Sequence, residues 1–116
     1  MAIKRLSPGK RLSGAVVHGN TVYLAGQVAA DSSAGVKGQT EQILKKMDEL
    51  LAAAGTDKSK LLSATIWISN MGNFAEMNEA WDAWVDPSNT PARATVEARL
   101  ANPKLLVEIM SIAAIS

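Results

Sequence analysis

The sequence has no cysteine and only one histidine, His18, among its 116 residues. The missing thiols exclude disulfide bonds, thiolate nucleophiles and cysteine-based metal sites. His18 flanks a hairpin turn, where a histidine is usually a surface residue, so we assign it no role. A histidine-clustered metal site and a Ser-His-Asp triad are therefore not expected.

An excess of charge of either sign is also missing, because 12 Lys and Arg face 11 Asp and Glu, a net charge of +1. The chain as a whole lacks the basic footprint of a nucleic-acid-binding protein. Four of these cations, Lys4, Arg5, Lys10 and Arg11, nevertheless fall within the first 11 residues. A solvated basic arm is the plain explanation, and a loop that reaches an anionic ligand is the sharper one.

Long apolar runs are absent as well. Residues 1–5 lack the apolar core of a signal peptide, and no run reaches membrane-spanning length, so we expect a cytoplasmic protein without membrane contact. With 47% hydrophobic and 20% charged residues, the composition is that of an ordinary globular protein. Residues 1–116 are predicted to form a single domain, in which residues 1–14 are a basic arm or short edge strand.

The first half of the chain predicts a hairpin followed by a helix. Strands at 15–18 and 21–25 flank Gly19-Asn20, a typical two-residue hairpin turn. Gly26 ends the second strand, where a missing Cβ lets other atoms approach closely. After a polar loop at 31–38, apolar residues recur at helical spacing from Thr40, and Gly55 stops this helix.

The next segment predicts a strand and a second helix. Residues 61–69 alternate, with one face formed by Leu62, Ala64, Ile66 and Ile68. Asn73 and Glu76 have the spacing of a capping box. The apolar stripe after them is predicted to be core; it consists of Phe74, Met77, Trp81, Trp84 and Val85. Asn78 lies beside this stripe and needs a hydrogen-bond partner if it is buried.

Two C-terminal strands carry the residues that could perform chemistry. Pro91 stiffens the entry to a strand whose alternation puts Ala94 and Val96 on one face and Thr95 and Glu97 on the other. Arg93 stands at the start of this strand, on the side of Thr95. In the apolar run 104–115, Glu108 is an isolated carboxylate that needs a partner if it is buried.

The predicted order is strand-strand-helix-strand-helix-strand-strand (ββαβαββ), an α+β fold with one mixed sheet. Two helices can cover only one face of this sheet. The uncovered face is expected to carry Thr65, Trp67, Thr95 and Glu97, a mixture too apolar for plain solvent. Such a face usually finds a partner.

Arg93 and Glu108 also have plain structural explanations. Arg93 could be an ordinary strand-end arginine, and Glu108 could pair with Arg93, Arg99 or Lys104. A functional interpretation rests on their combination, since arginine's planar fork matches a carboxylate and a nearby glutamate can orient a water molecule.

At these residues the sequence resembles the Rid (YjgF-like) family of reactive-intermediate deaminases. The resemblance rests on Pro91-Ala92-Arg93 with Val96-Glu97, and on Val107-Glu108-Ile109 with Ile112-Ala113. Leu24-Ala25-Gly26-Gln27, Gln39, Phe74 and Met77-Asn78 agree in order. It implies a chorismate-mutase-like fold, a homotrimer with pockets between subunits, and no metal or organic cofactor.

The implied activity is metabolite damage control, the hydrolysis of 2-imino and enamino acids to 2-keto acids and ammonia. By this resemblance, Arg93 clamps the substrate carboxylate, Glu108 holds the attacking water, and the backbone at Gly26 seats the ligand. Ala94, Thr95, Asn78 and Arg11 complete the implied substrate-binding set. The chain departs from the family pattern at Thr95 (a cysteine in many members), at Ala25 (a serine) and at residues 10–13 (a tyrosine).

These departures keep two alternatives open. One is a trimer that binds a small molecule or regulates without catalysis. The other is a ribonuclease or translation-inhibitor activity, against which the near-neutral charge and the lack of basic-aromatic interleaving speak.

Overall fold

One mixed sheet of six strands organises the computed structural model, which describes residues 1–116. The strands are β1 (Ile3–Pro8), β2 (Ser13–His18), β3 (Thr21–Gln27), β4 (Leu61–Ile68), β5 (Ala92–Glu97) and β6 (Val107–Ala114). They lie in the order β1-β2-β3-β6-β4-β5. Only β4 and β5 run parallel.

Two helices, α1 (Val36–Ala53) and α2 (Phe74–Trp84), pack on one face of this sheet. We call the face under the helices the covered face and the opposite one the open face. The α+β prediction is confirmed, and the N-terminal edge strand extends the predicted order to βββαβαββ. Neither helix is long and apolar enough to span a membrane.

The core lies between the covered face and the helices because strand and helix periodicities converge there. From α1 it receives Ile43, Leu44, Met47 and Leu51, and from α2 it receives Met77 and Trp81. The strands contribute Ala15, Val22, Leu24, Leu61, Ala64, Ile66, Ile68, Val107, Ile109 and Ala113.

The predicted hairpin is confirmed. His18 pairs with Thr21, so Gly19 and Asn20 form the turn. Gly19 has a φ of +62°, a conformation that a residue without Cβ adopts at little cost.

Helix α1 begins at Val36, earlier than the helical pattern predicted. The reason is tertiary: buried Gln39 bonds to two separate segments of the chain. Its Nε2 donates to the Ala34 and Lys104 carbonyls, both at 3.0 Å, and its Oε1 accepts from the Leu106 N–H at 2.9 Å. This side chain ties the loop before α1 to the start of β6 and extends the helix into the predicted loop.

The capping box predicted for α2 is wrong. Asn73 makes no side-chain cap hydrogen bond, because a 3₁₀ turn at Met71–Asn73 runs directly into the helix and leaves Asn73 without extended geometry. Instead, Asn70 Oδ1 accepts from the Gly72 N–H, and Glu97 Oε1 accepts from the Met71 N–H, both at 2.8 Å.

Two predicted strand faces also need correction. The pairing of β4 with β6 shifts between Leu61 and Ser63, so Leu61 enters the core and Leu62 is 51% exposed. In β5, Thr95 pairs with Ile66 and Glu97 with Ile68, which puts them on the covered face. β5 is an edge strand at the margin of the helical layer, so its polar side chains find room there while Ala94 and Val96 take the open face.

Candidate functional site

Arg93 lies near the start of β5 and faces α2. Its Nη1 donates to Asn78 Oδ1 at 2.8 Å. Its Cζ lies 5.2 Å from the ring centroid of Trp81 and 5.9 Å from that of Phe74. These three partners share one helical face because they are spaced i, i+4 and i+7 along α2. The helix therefore fixes the guanidinium through one hydrogen bond and two cation–π contacts.

No carboxylate neutralises this arginine. The chain has one ion pair, between Lys37 Nζ and Glu79 Oε2 at 3.5 Å on the exposed surface. Burial lowers the pKa of Arg93 below its ordinary value, and the negative charge of Asp82 opposes that shift. Since arginine stays protonated in proteins, a half-buried positive charge remains available to an anion.

Glu108 stands on the open face of β6, directly opposite Trp67 of β4. Its side chain crosses the backbone of Gly26. A Cβ at position 26 would lie 3.0 Å from Glu108 Cδ and 3.3 Å from Cγ, and closer still to the carboxylate oxygen. The β3–β6 register shifts between Leu24 and Gln27, and this irregularity brings Gly26 beside Glu108. Only glycine fits beneath the carboxylate in this position.

Arg93 and Glu108 therefore occupy opposite faces of the sheet. β5 and β6 are consecutive in the chain, but β4 lies between them. Arg93 shares its face with Ala64, its partner in β4, whereas Glu108 shares the other face with Trp67. The sequence left open an ion pair between Glu108 and Arg93, Arg99 or Lys104. None of these ion pairs forms.

The remaining candidate residues scatter around these two centres. Thr95 lies on the Arg93 side, and its Oγ1 is buried without a hydrogen-bond partner. Ala94 is exposed on the open face. Arg11 is exposed in the loop between β1 and β2, at the sheet edge opposite β5.

The largest cavity, about 820 Å³, contains neither Arg93 nor Glu108. It lies under the segment after β5, and Glu97 and Arg99 contribute its charged lining. Glu97 already accepts the Met71 N–H. No group of three histidine or acidic side chains converges anywhere in the chain. The chemistry-bearing residues are thus not gathered in one cavity of a single chain.

The sequence model of the family described as Endoribonuclease L-PSP matches residues 2–115. A RutC family protein from Haemophilus ducreyi is 46% identical over 114 residues, which cover 98% of this chain and 97% of that protein. The chain belongs to the YjgF/RutC family.

Solved structures of YjgF/RutC proteins have the same architecture. A member of the YjgF family from Neisseria meningitidis superposes with a TM-score of 0.97 at 41% identity, covering 100% of this chain and 97% of that one. A more distant relative is Reactive Intermediate Deaminase A, chloroplastic, from Arabidopsis thaliana. It is 34% identical over 107 residues, which cover 85% of this chain and 57% of that protein.

Two aromatic partners of Arg93 were missed as site residues. Phe74 and Trp81 belong to an apolar helical stripe, which predicts core, and Trp81 is indeed 5% exposed. The spacing Phe74-x-x-x-Asn78-x-x-Trp81 puts an amide between two rings on one helix face. In this YjgF/RutC protein, that spacing could have predicted a helix face that binds a cationic side chain such as Arg93.

Proposed function

We propose that this YjgF/RutC protein hydrolyses reactive 2-imino and enamino acids to 2-keto acids and ammonia. The observation that carries the proposal is the state of Arg93, which is fixed by Asn78 and two rings but has no carboxylate partner. A preorganised, unneutralised guanidinium in a half-buried place is suited to bind a substrate carboxylate through its remaining N–H groups.

Glu108 supplies the second requirement, a carboxylate that can hold water. It is half-buried, makes no ion pair, and rests on the backbone of Gly26 beside Trp67. A water molecule that donates to this carboxylate is oriented for attack on an electrophilic carbon. An imine carbon is already electrophilic, so positioning supplies most of the rate gain.

The proposed reaction needs no other reactant than water. The water oxygen bonds to the C=N carbon of the imino acid, the π electrons move to nitrogen, and one water proton passes to that nitrogen by way of the Glu108 carboxylate. The C–N bond of the tetrahedral adduct then breaks, and nitrogen leaves as ammonia after taking up a second proton. That second proton comes from the remaining hydroxyl, which becomes the carbonyl of the 2-keto acid. An enamine enters the same sequence after tautomerising to the imine.

The two halves lie on opposite faces, so we propose that each pocket forms between subunits of a homotrimer. Arg93 of one subunit would meet Gly26 and Glu108 of another. The open face supports this proposal, because it exposes Tyr23 by 46%, Val96 by 44% and Met110 by 39%. An apolar face of this kind is suited to cover by a second copy of the chain. The exposed loop at Arg11 could then reach a neighbour's pocket.

The name of the Arabidopsis relative, a reactive intermediate deaminase, supports the same chemistry. The test is ammonia release from a panel of freshly generated 2-imino acids. We expect turnover by the wild-type protein and its loss in Arg93→Ala, because removal of a carboxylate anchor costs ~2–5 kcal/mol. Arg99→Ala is the matched control, since Arg99 is exposed and lies outside the proposed pocket.

Normal turnover by Arg93→Ala would contradict the assignment. Binding of small carboxylates without any ammonia release would favour the non-catalytic binding alternative. A salt-dependent affinity for RNA together with RNA cleavage would instead favour the activity after which the family model is described.

A further inference from the structure

The guanidinium of Arg93 is held by an uncharged acceptor. Its Nη1 donates to the amide oxygen of Asn78 at 2.8 Å, and the rings of Phe74 and Trp81 lie beside it. Asp82, one turn further along α2, is exposed and makes no ion pair with Arg93. The only direct side-chain hydrogen bond to this arginine therefore carries no negative charge.

The neutrality of that acceptor matters because asparagine and aspartate have nearly the same shape. A carboxylate at position 78 could accept the same hydrogen bond and would make it stronger, since charge-assisted bonds are about twice as strong as neutral ones. It would also offset the positive charge that attracts a second anion. The amide satisfies one N–H of the guanidinium and leaves the charge intact.

The geometry also separates the part of Arg93 that is fixed from the part that can bind. Nη1 is engaged by Asn78. Arginine has five N–H donors in a rigid planar fork, so the engaged nitrogen orients the others. An arginine whose fork is already oriented loses less side-chain entropy when a carboxylate binds.

We infer that Asn78 is a positioning residue, which orients Arg93 through a neutral hydrogen bond and so keeps its full positive charge for the carboxylate of the ligand. This inference deepens the proposed function, because it rests on Arg93 as the carboxylate anchor. It assigns to Asn78 an action through Arg93 rather than a direct contact with substrate.

The test compares two substitutions at one position. Asn78→Asp keeps the shape and the hydrogen bond but adds a charge, whereas Asn78→Ala removes the hydrogen bond and adds none. Ala83→Asp is the matched control, since it adds the same charge at an exposed position of the same helix. The probe is pyruvate, a 2-oxo acid, and its Kd is measured by calorimetry on the full-length protein.

We expect Asn78→Asp to weaken pyruvate binding by at least about tenfold, as expected when an anion's charged partner is already compensated. The side-chain N–H signals of Arg93 in ¹⁵N NMR should stay sharp in this variant, since the arginine is still held. Asn78→Ala should broaden those signals and weaken binding by a smaller factor. Ala83→Asp should bind as the wild type does.

Wild-type affinity in Asn78→Asp would overturn the inference, because it would show that the acceptor's charge is irrelevant. Weak binding with loss of the Arg93 signals would also overturn it, since displacement of the arginine would then explain the loss. If the wild-type protein does not bind pyruvate, Arg93 is not a carboxylate anchor, and the inference about Asn78 fails with it. Pyruvate binding without any imine hydrolysis contradicts only the proposed function.

Discussion

The surroundings of Arg93 and of Glu108 differ in how much of each half-site one chain builds. Three residues of α2 hold Arg93 from one side: Asn78 accepts a hydrogen bond, and Phe74 and Trp81 provide two aromatic rings. Glu108 has no such support, and its position depends on the missing Cβ of Gly26. The cation is thus preorganised within one chain, whereas the carboxylate lies on an apolar face that we propose a second copy of the chain covers.

The largest effect is expected when the Arg93 and Glu108 substitutions are placed in different chains and the chains are mixed in equal amounts. Arg93→Ala and Glu108→Ala should each be inactive alone. After the two variants are unfolded and refolded together, about a quarter of the pockets in a randomly mixed closed ring should be intact, because each pocket takes one residue from each neighbour. Ammonia release should therefore recover to about that fraction of wild-type activity.

A matched control for the mixing experiment is the double variant Arg93→Ala/Glu108→Ala mixed with wild-type chains. Those mixtures should lose activity faster than in proportion to the double-variant content. If the two single variants mixed together stay inactive while both still assemble, a single chain must build the whole pocket and the inter-subunit proposal fails.

A charge on the open face should have the next largest effect. Tyr23 is 46% exposed in the middle of this face, on a strand separated from β4 and its Trp67. Tyr23→Asp should yield monomers or aggregates and silence all pockets together, because an unpaired charge is costly in a covered interface. Sedimentation at low micromolar concentration checks the assembly.

Ala83→Asp adds the same charge on the helical layer and should leave assembly unchanged. An active 12.3 kDa wild-type monomer in that sedimentation experiment would show that no partner is needed.

Gly26→Ala should act mainly by displacing the Glu108 carboxylate. The added Cβ meets Glu108 Cδ at 3.0 Å, so the side chain must rotate away from its place over β3. Loss of a positioned general acid–base group typically costs about 10²–10⁴-fold in rate. We expect kcat to fall toward that of Glu108→Gln while pyruvate still binds, because Arg93 is untouched.

Gly35→Ala is the matched control for Gly26→Ala, because a Cβ at position 35 meets no atom within 4 Å. Gly72→Ala is unsuitable as a control, since Gly72 lies in the turn before α2. Wild-type kcat in Gly26→Ala would mean that Glu108 does not need this position for turnover.

Much of this architecture can be predicted from the sequence, but the order of the strands within the sheet cannot. Gly19-Asn20 has the composition of a hairpin turn, and the apolar period of α1 is visible from Thr40 onward. The separation of Arg93 from Glu108 was not predicted, because consecutive strands usually neighbour each other and nothing in the sequence places β4 between β5 and β6. The start of α1 was missed for a similar reason, since Gln39 bonds to Lys104 and Leu106, far along the chain.

The smallest expected effect concerns Thr95, which the family resemblance assigns to substrate binding. Its Oγ1 is buried and has no hydrogen-bond partner, so the hydroxyl gives up hydration without a compensating bond. Thr95→Val keeps the side-chain shape and removes that cost. We expect the free energy of unfolding to stay the same or rise by up to about 1 kcal/mol, which thermal denaturation can measure. Ser111→Ala is the matched control, because Ser111 Oγ is the other buried, unpaired hydroxyl and lies in the core strand β6.

Activity then decides what the Thr95 hydroxyl does. If it only fills space beside Arg93, Thr95→Val should retain turnover and pyruvate affinity within about twofold, as Ser111→Ala should, since no bond to ligand is lost. If the hydroxyl turns toward a bound carboxylate, Thr95→Val should raise KM while Ser111→Ala does not. That second outcome would make the covered face, already the better organised half of the site, responsible for the ligand contacts of both Arg93 and Thr95.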